Sequence, residues 1–202
     1  MRKVILLVFS SIVAVLLIIY IMNIFIFKNF NSYVNSIEWE KYYTTGNQYD
    51  SKNDYENAIL QYEQSINVLK KEISEDSTNR VFIFQVLLSK AACLEKAGKD
   101  EEAMQIYQEV ITENEKVDMV QYKKLCNSYT AAALIQQGFI YLNTDKKDVA
   151  DKKFTDSLVY LQNVDRLDYG IKKSIERIIE FYKINNDEKK SMTFQGILDT
   201  NK

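Results

Sequence analysis

Apolar residues are laid out along this chain in two ways. From Val4 to Phe27 they form a run of 24 residues without a charge, VILLVFSSIVAVLLIIYIMNIFIF, with Arg2 and Lys3 just before it. Beyond Lys28 they are interleaved with polar residues in a recurring frame. The first pattern predicts a membrane-spanning helix. At ~1.5 Å rise per residue it would be about 36 Å long, enough to cross a ~30 Å hydrocarbon core with some tilt. A cleaved signal peptide has a shorter apolar core and small residues at its cleavage site. Here the run ends in the bulky stretch IFIFKNFNSY. The expectation is an uncleaved signal anchor over residues 1–28, inserted through residues 4–27, followed by one domain over 29–202. Arg2, Lys3 and the amino terminus outweigh Lys28, so the positive-inside rule places the N-terminus in the cytoplasm and the domain across the membrane. Residues 29–38 contain neither proline nor glycine. Either the first domain helix continues from the anchor, or a break falls around Asn29 to Ser32.

The second pattern is a frame that occurs three times. Gly46 is followed by Tyr49, Ala58, Tyr62 and Ser65; Ala91 by Leu94, Ala103, Tyr107 and Val110; Gly138 by Tyr141, Ala150, Phe154 and Ser157. A large residue stands four places before each small one: Tyr42, Leu87 and Leu134. The arrangement predicts helical hairpins. The small residues lie where two backbones approach, and the aromatics fill the space on either side. Turn signals separate the helices at SKND (51–54), AGKD (97–100) and TDKKD (144–148), with Asp54, Asp100 and Asp145 expected as N-caps. After residue 165 the frame weakens. Ile171, Ile175, Ile178, Ile179 and Tyr182 still mark one helix face. The small slot, however, holds Ile179. Ser191 fits the next small position, and Gln195 stands where the aromatic should be.

This frame resembles the tetratricopeptide repeat: bulky, small and aromatic residues on a first helix, then Ala, aromatic and small on a second. The resemblance implies an all-α, tetratricopeptide-like α-solenoid. Its repeats would cover about 39–72, 84–117 and 131–164, with a degenerate capping hairpin over 166–200. The repeats are spaced by 45 and 47 residues (46 to 91, 91 to 138), wider than the family's usual period, so the added residues are expected between hairpins. The resemblance also implies that ligands bind a concave face lined by the first helices. By helical spacing that face carries Tyr43, Asn47 and Asp50, then Leu88, Ala92 and Glu95, then Ile135, Phe139 and Leu142. The family's basic clamp for terminal carboxylates is not matched, because Tyr43 and Ala132 replace its polar residues although Asn47 agrees. An apolar groove rimmed by Asn47, Asp50 and Glu95 would suit an amphipathic segment. The competing reading has Ile135, Phe139 and Leu142 covered by the last hairpin.

Composition narrows the choice. There is no proline and there are five glycines, which favours long helices over strands and turns. Past Lys28 the chain has 23 Lys and Arg against 28 Asp and Glu, a net charge of −5 with no basic cluster, so nucleic acid is not an expected partner. The absence of histidine removes histidine-based acid–base, metal and nucleophile chemistry. Cys93 and Cys126 form no metal-type pair and are expected as two separate buried thiols. Acidic pairs such as Glu101–Glu102 begin helices, where they complement the dipole. No residue set points to catalysis, a cofactor or a metal.

The resulting expectation is a single-pass membrane protein of bacterial type, its domain extracytoplasmic and not an enzyme. It would act as a protein–protein interaction scaffold or adaptor for a secretion, envelope-assembly or chaperone complex. The alternatives are a cytosol-facing organelle import receptor and a non-catalytic subunit of an enzyme complex.

Overall fold

The small residues of the sequence frame sit where helices touch. A Cβ on Gly46 would fall 2.7 Å from Cε1 of Tyr62, and one on Gly138 would fall 2.4 Å from Cε1 of Phe154. Ala58, Ala91, Ala103 and Ala150 are wholly buried. These contacts belong to a computed structural model that describes residues 20–22, 38–75, 79–118, 120–164 and 166–201. Its helices are α1 (38–51), α2 (Tyr55–Glu75), α3 (Arg80–Lys96), α4 (Asp100–Glu115), α5 (Val120–Asn143), α6 (Lys147–Leu161), α7 (Tyr169–Ile184) and α8 (Glu188–Thr200). The architecture is all-α. The expected membrane span lies outside the described residues except at 20–22, which are helical, and the segment at 29–37 also lies outside them. Among the described residues no helix is long and apolar enough to cross a membrane.

Four hairpins, α1–α2, α3–α4, α5–α6 and α7–α8, share one turn. Asn53, Gly98, Asp145 and Asn186 adopt φ of 60°, 73°, 57° and 57°. The next residue then donates its N–H five places back: Asp54 to Tyr49, Lys99 to Leu94, Lys146 to Tyr141 and Asp187 to Tyr182. The left-handed residue itself donates three places back, completing a Schellman motif that satisfies carbonyls at the end of the first helix. Only one of the four uses glycine; the others use Asn or Asp, which tolerate this conformation best among residues with a side chain.

This geometry corrects two of the three expected N-caps. Asp54 does face the start of α2, accepting from the Asn57 N–H at 3.4 Å. Asp145 is instead the left-handed residue, and Asp100 lies within the first turn of α4, where its charge meets the helix dipole. The N-cap positions of α4 and α6 are Lys99 and Lys146, neither with a side-chain cap. The turn closes one residue earlier or later than the acidic residue alone indicates, because the positive-φ requirement takes precedence over capping.

Neighbouring hairpins join through both sets of helices. The odd-numbered helices lie alongside one another. Trp39 stacks on Phe82 at 5.1 Å between ring centres, the Asp50 carboxylate holds the Lys96 ammonium at 2.7 and 2.9 Å, and Phe84 meets Tyr129 at 5.9 Å. On the even-numbered side, Lys70 pairs with Glu109 across α2 and α4. The buried apolar residues divide into two clusters that share α5: Cys126, Ala133 and Ile140 face the first, Ala131, Ile135 and Phe139 the second. Cys93 and Cys126 are free thiols, each wholly buried, and burial pushes each up to about 11.

The last hairpin continues the packing with different residues. The α7 face marked by Ile171, Ile175, Ile178, Ile179 and Tyr182 is buried. Where Gln195 was expected to stand in for an aromatic, Gln195 is exposed and its neighbour Phe194 is wholly buried, stacked on Tyr182 at 5.7 Å. The Tyr182 hydroxyl donates to Asp151 of α6 at 2.8 Å, and Lys190 of α8 donates to the same carboxylate at 2.6 and 2.9 Å.

Candidate functional site

Leu88, Ala92 and Glu95 follow one another at steps of four and three, which places them on one face of α3. Ile135 and Gln136 stand three and four places after Ala132, so these three share one face of α5. The segment that leads into α7 approaches both faces, bringing Asp168, Gly170, Ile171 and Ser174 against them. Together they enclose a cavity of about 380 Å³, into which Lys96 and Tyr107 also reach. The walls are mainly methyl and aliphatic groups. The site therefore exists because the last hairpin leans over the odd-numbered helices and leaves a space where alanines stand at 92 and 132.

Four of the nine residues expected on that face meet here, Leu88, Ala92, Glu95 and Ile135, while Asp50 stays outside and pairs with Lys96. The other four do not. The Tyr43 hydroxyl accepts from Gln85 Nε2 at 3.0 Å and lies 3.4 Å from Ser89 Oγ, tying α1 to α3. Asn47 Oδ1 accepts the Tyr62 hydroxyl at 2.8 Å, and so braces the first hairpin from within. Phe139 is only 6% exposed, edge-on to Phe154 at 5.2 Å, with the Arg177 guanidinium of α7 3.8 Å above its ring. Leu142 is half-buried beside the same cluster. On α5, then, α7 covers Phe139 and leaves Ile135 to line the cavity.

Sequence spacing alone missed Lys96, Tyr107, Gln136 and the α7 segment. Gln136 follows Ile135 and could have been found from the helical face. Tyr107 is the aromatic of the second frame and packs as one, being buried, while its hydroxyl reaches Glu95. The residues at 168–174 carry no local signal of their role, since only the path from α6 to α7 brings them there.

Glu95 is the polar centre of the cavity. Its Oε1 accepts the Tyr107 hydroxyl from α4. Burial raises the Glu95 carboxyl above the ordinary carboxylate range; the Tyr107 bond draws it back down, Asp100 raises it and Arg177 lowers it. Tyr107 itself is pushed upward, first by burial and then by the Glu95 charge. Lys96, though it lines the cavity, is engaged by Asp50. Asp168 caps α7 by accepting the Ile171 N–H at 2.9 Å. Among the described residues no group of three or more His, Cys, Asp or Glu side chains is arranged to hold a metal ion. The arrangement can bury an apolar segment of modest size and present one carboxylate to it. No protein-family model matches this chain, and no curated protein matches it.

Proposed function

We propose that this chain is a membrane-anchored scaffold or adaptor that holds a partner protein at the membrane, its hairpins stacked as a tetratricopeptide-like α-solenoid. The observation that carries the reading is the repetition of one packing unit. A small residue on the first helix of a hairpin lies beneath an aromatic on the second, as Gly46 beneath Tyr62 and Gly138 beneath Phe154. Stacked hairpins of this kind bury a continuous core while leaving long faces open to other proteins. The uncharged run at 4–27, with Arg2 and Lys3 before it, supports an anchor there, the domain lying on the extracytoplasmic side. Catalysis by the chain itself has no support in its residue inventory, which lacks histidine.

Site-specific photocrosslinking tests the scaffold role. A crosslinker at Gln136 of the full-length protein, irradiated in intact cells, should trap a discrete protein adduct, and one at exposed Val159 should not. Equal trapping of the same species from both positions, or from neither, would reject the cavity face as the contact. Orientation is tested separately. A single cysteine introduced at exposed Lys152 should react with a membrane-impermeant maleimide in intact spheroplasts. Reaction only after lysis would favour a cytosol-facing receptor.

A further inference from the structure

Glu95 has one oxygen committed to Tyr107. Its other oxygen, Oε2, has no hydrogen-bond partner among the described residues, and none of their ion pairs includes Glu95. Of the nearby cations, Lys96 is held by the Asp50 carboxylate, and Arg177 lies over the face of Phe139, from where its charge acts on Glu95 without an ion pair. Asp168, the other acid on the wall, adds negative charge. An apolar occupant would strip the remaining water from the Glu95 carboxylate without replacing it, which is costly. An acidic occupant would add like-charge repulsion. A cation on an aliphatic stem meets both demands.

Resting on the protein-binding reading above, we propose that this cavity receives a lysine or arginine side chain of a partner protein segment. The stem lies against Leu88, Ala92, Ala132, Ile135 and Ile171, and the cation pairs with Glu95. The volume, about 380 Å³, exceeds that of one such side chain and leaves room for an apolar neighbour one helical turn away on an amphipathic partner helix. The side chain thereby acts as the selective contact of the groove, and the apolar wall supplies area.

Fluorescein-labelled helical peptides with leucines at i, i+3 and i+7 and a central Lys, Gln or Glu test the assignment. They are titrated by anisotropy against the full-length chain in zwitterionic-lipid nanodiscs, with empty nanodiscs as blank. The Lys peptide should bind about tenfold or more tightly than the Gln peptide, the scale of one desolvated charge pair, and the Glu peptide weakest. Glu95→Gln should bring the Lys and Gln peptides to equal affinity. The amide is isosteric and still accepts from Tyr107, so the variant should unfold cooperatively at a temperature no lower than the wild type. Ala92→Met, which fills the cavity and leaves Glu95 in place, should abolish binding of all three. Equal affinities in the wild type would overturn the cation assignment alone, leaving the scaffold reading to the crosslinking experiment. No binding by any peptide would overturn the cavity as a docking site. Hexylammonium binding as tightly as the Lys peptide would overturn the protein segment in favour of a small amine.

Discussion

Gly138 is a residue whose replacement has no room to relax. The Phe154 ring above it is wholly buried, with Phe139 on one side and Phe181 on the other. Gly98, by contrast, has nothing within 4 Å of a built Cβ, and its constraint is its φ of 73°. Gly138→Leu is expected to cost about 3 kcal/mol or more by overpacking. Gly98→Leu should cost about 1–2 kcal/mol through backbone conformation alone. Urea titration of the two variants checks the order; similar midpoints would show that α5 and α6 can part without penalty. Glu95 gives a second residue-scale expectation, with a sign opposite to ordinary acid denaturation. Its folded carboxyl is raised, so the folded state holds its proton more tightly than the unfolded state does. Its contribution is most favourable below the unfolded carboxyl value and is lost as pH rises through the raised folded one. Glu95→Gln should therefore raise the melting temperature more at pH ~7 than at pH ~4, either side of the ordinary glutamate value. An equal shift at both pH values would place the carboxylate in water.

Among the elements, one carboxylate ties both helices of the last hairpin to α6. Asp151 of α6 receives the Tyr182 hydroxyl from α7 and the Lys190 ammonium from α8. These groups are partly solvated, so the loss on Asp151→Ala should be modest, about 1 kcal/mol. Its location is the more telling outcome. Amide exchange should quicken through α7 and α8 and stay unchanged in α1 to α4, whose core is a separate cluster. Uniform quickening along the whole chain would mean that Asp151 supports the fold globally. Glu113 plays a comparable role earlier: it is buried, and receives Arg80 at 2.8 Å and Lys116 at 2.6 Å, closing the junction of α3 and α4.

For the molecule as a whole, α5 is the seam between two cores. One face of it meets α3 and α4, and the other meets α6 and the last hairpin. Phe139 stands on the second face and carries contacts from both α6 and α7. Phe139→Ala is expected to cost about 3–5 kcal/mol, the range for a truncated core phenylalanine. Thermal unfolding should then begin in the C-terminal core, visible as early loss of exchange protection there. A small change in stability combined with weaker capture of a protein partner would instead assign Phe139 to an open surface.

What repeats along the chain is readable from local spacing. Helical periodicity and small-next-to-aromatic pairing act over one hairpin, within reach of local spacing. Gly46 with Tyr62, Gly138 with Phe154 and the isoleucine face of α7 were legible for that reason. The turns were legible only in part, because Asp145 can serve either as a cap or in a left-handed turn, and the choice depends on where the helix before it ends. The sequence also set out the uncharged run at 4–27, whose structure lies outside the described residues. How the hairpins lean on one another is set by contacts between distant segments. These contacts put Phe194 and not Gln195 inside the terminal packing, laid Arg177 over Phe139, and brought residues 168–174 against α3 and α5. Four of the nine expected groove residues consequently line the cavity, and the rest lie outside it. Such outcomes follow from distances between segments far apart in the chain, which no local pattern encodes.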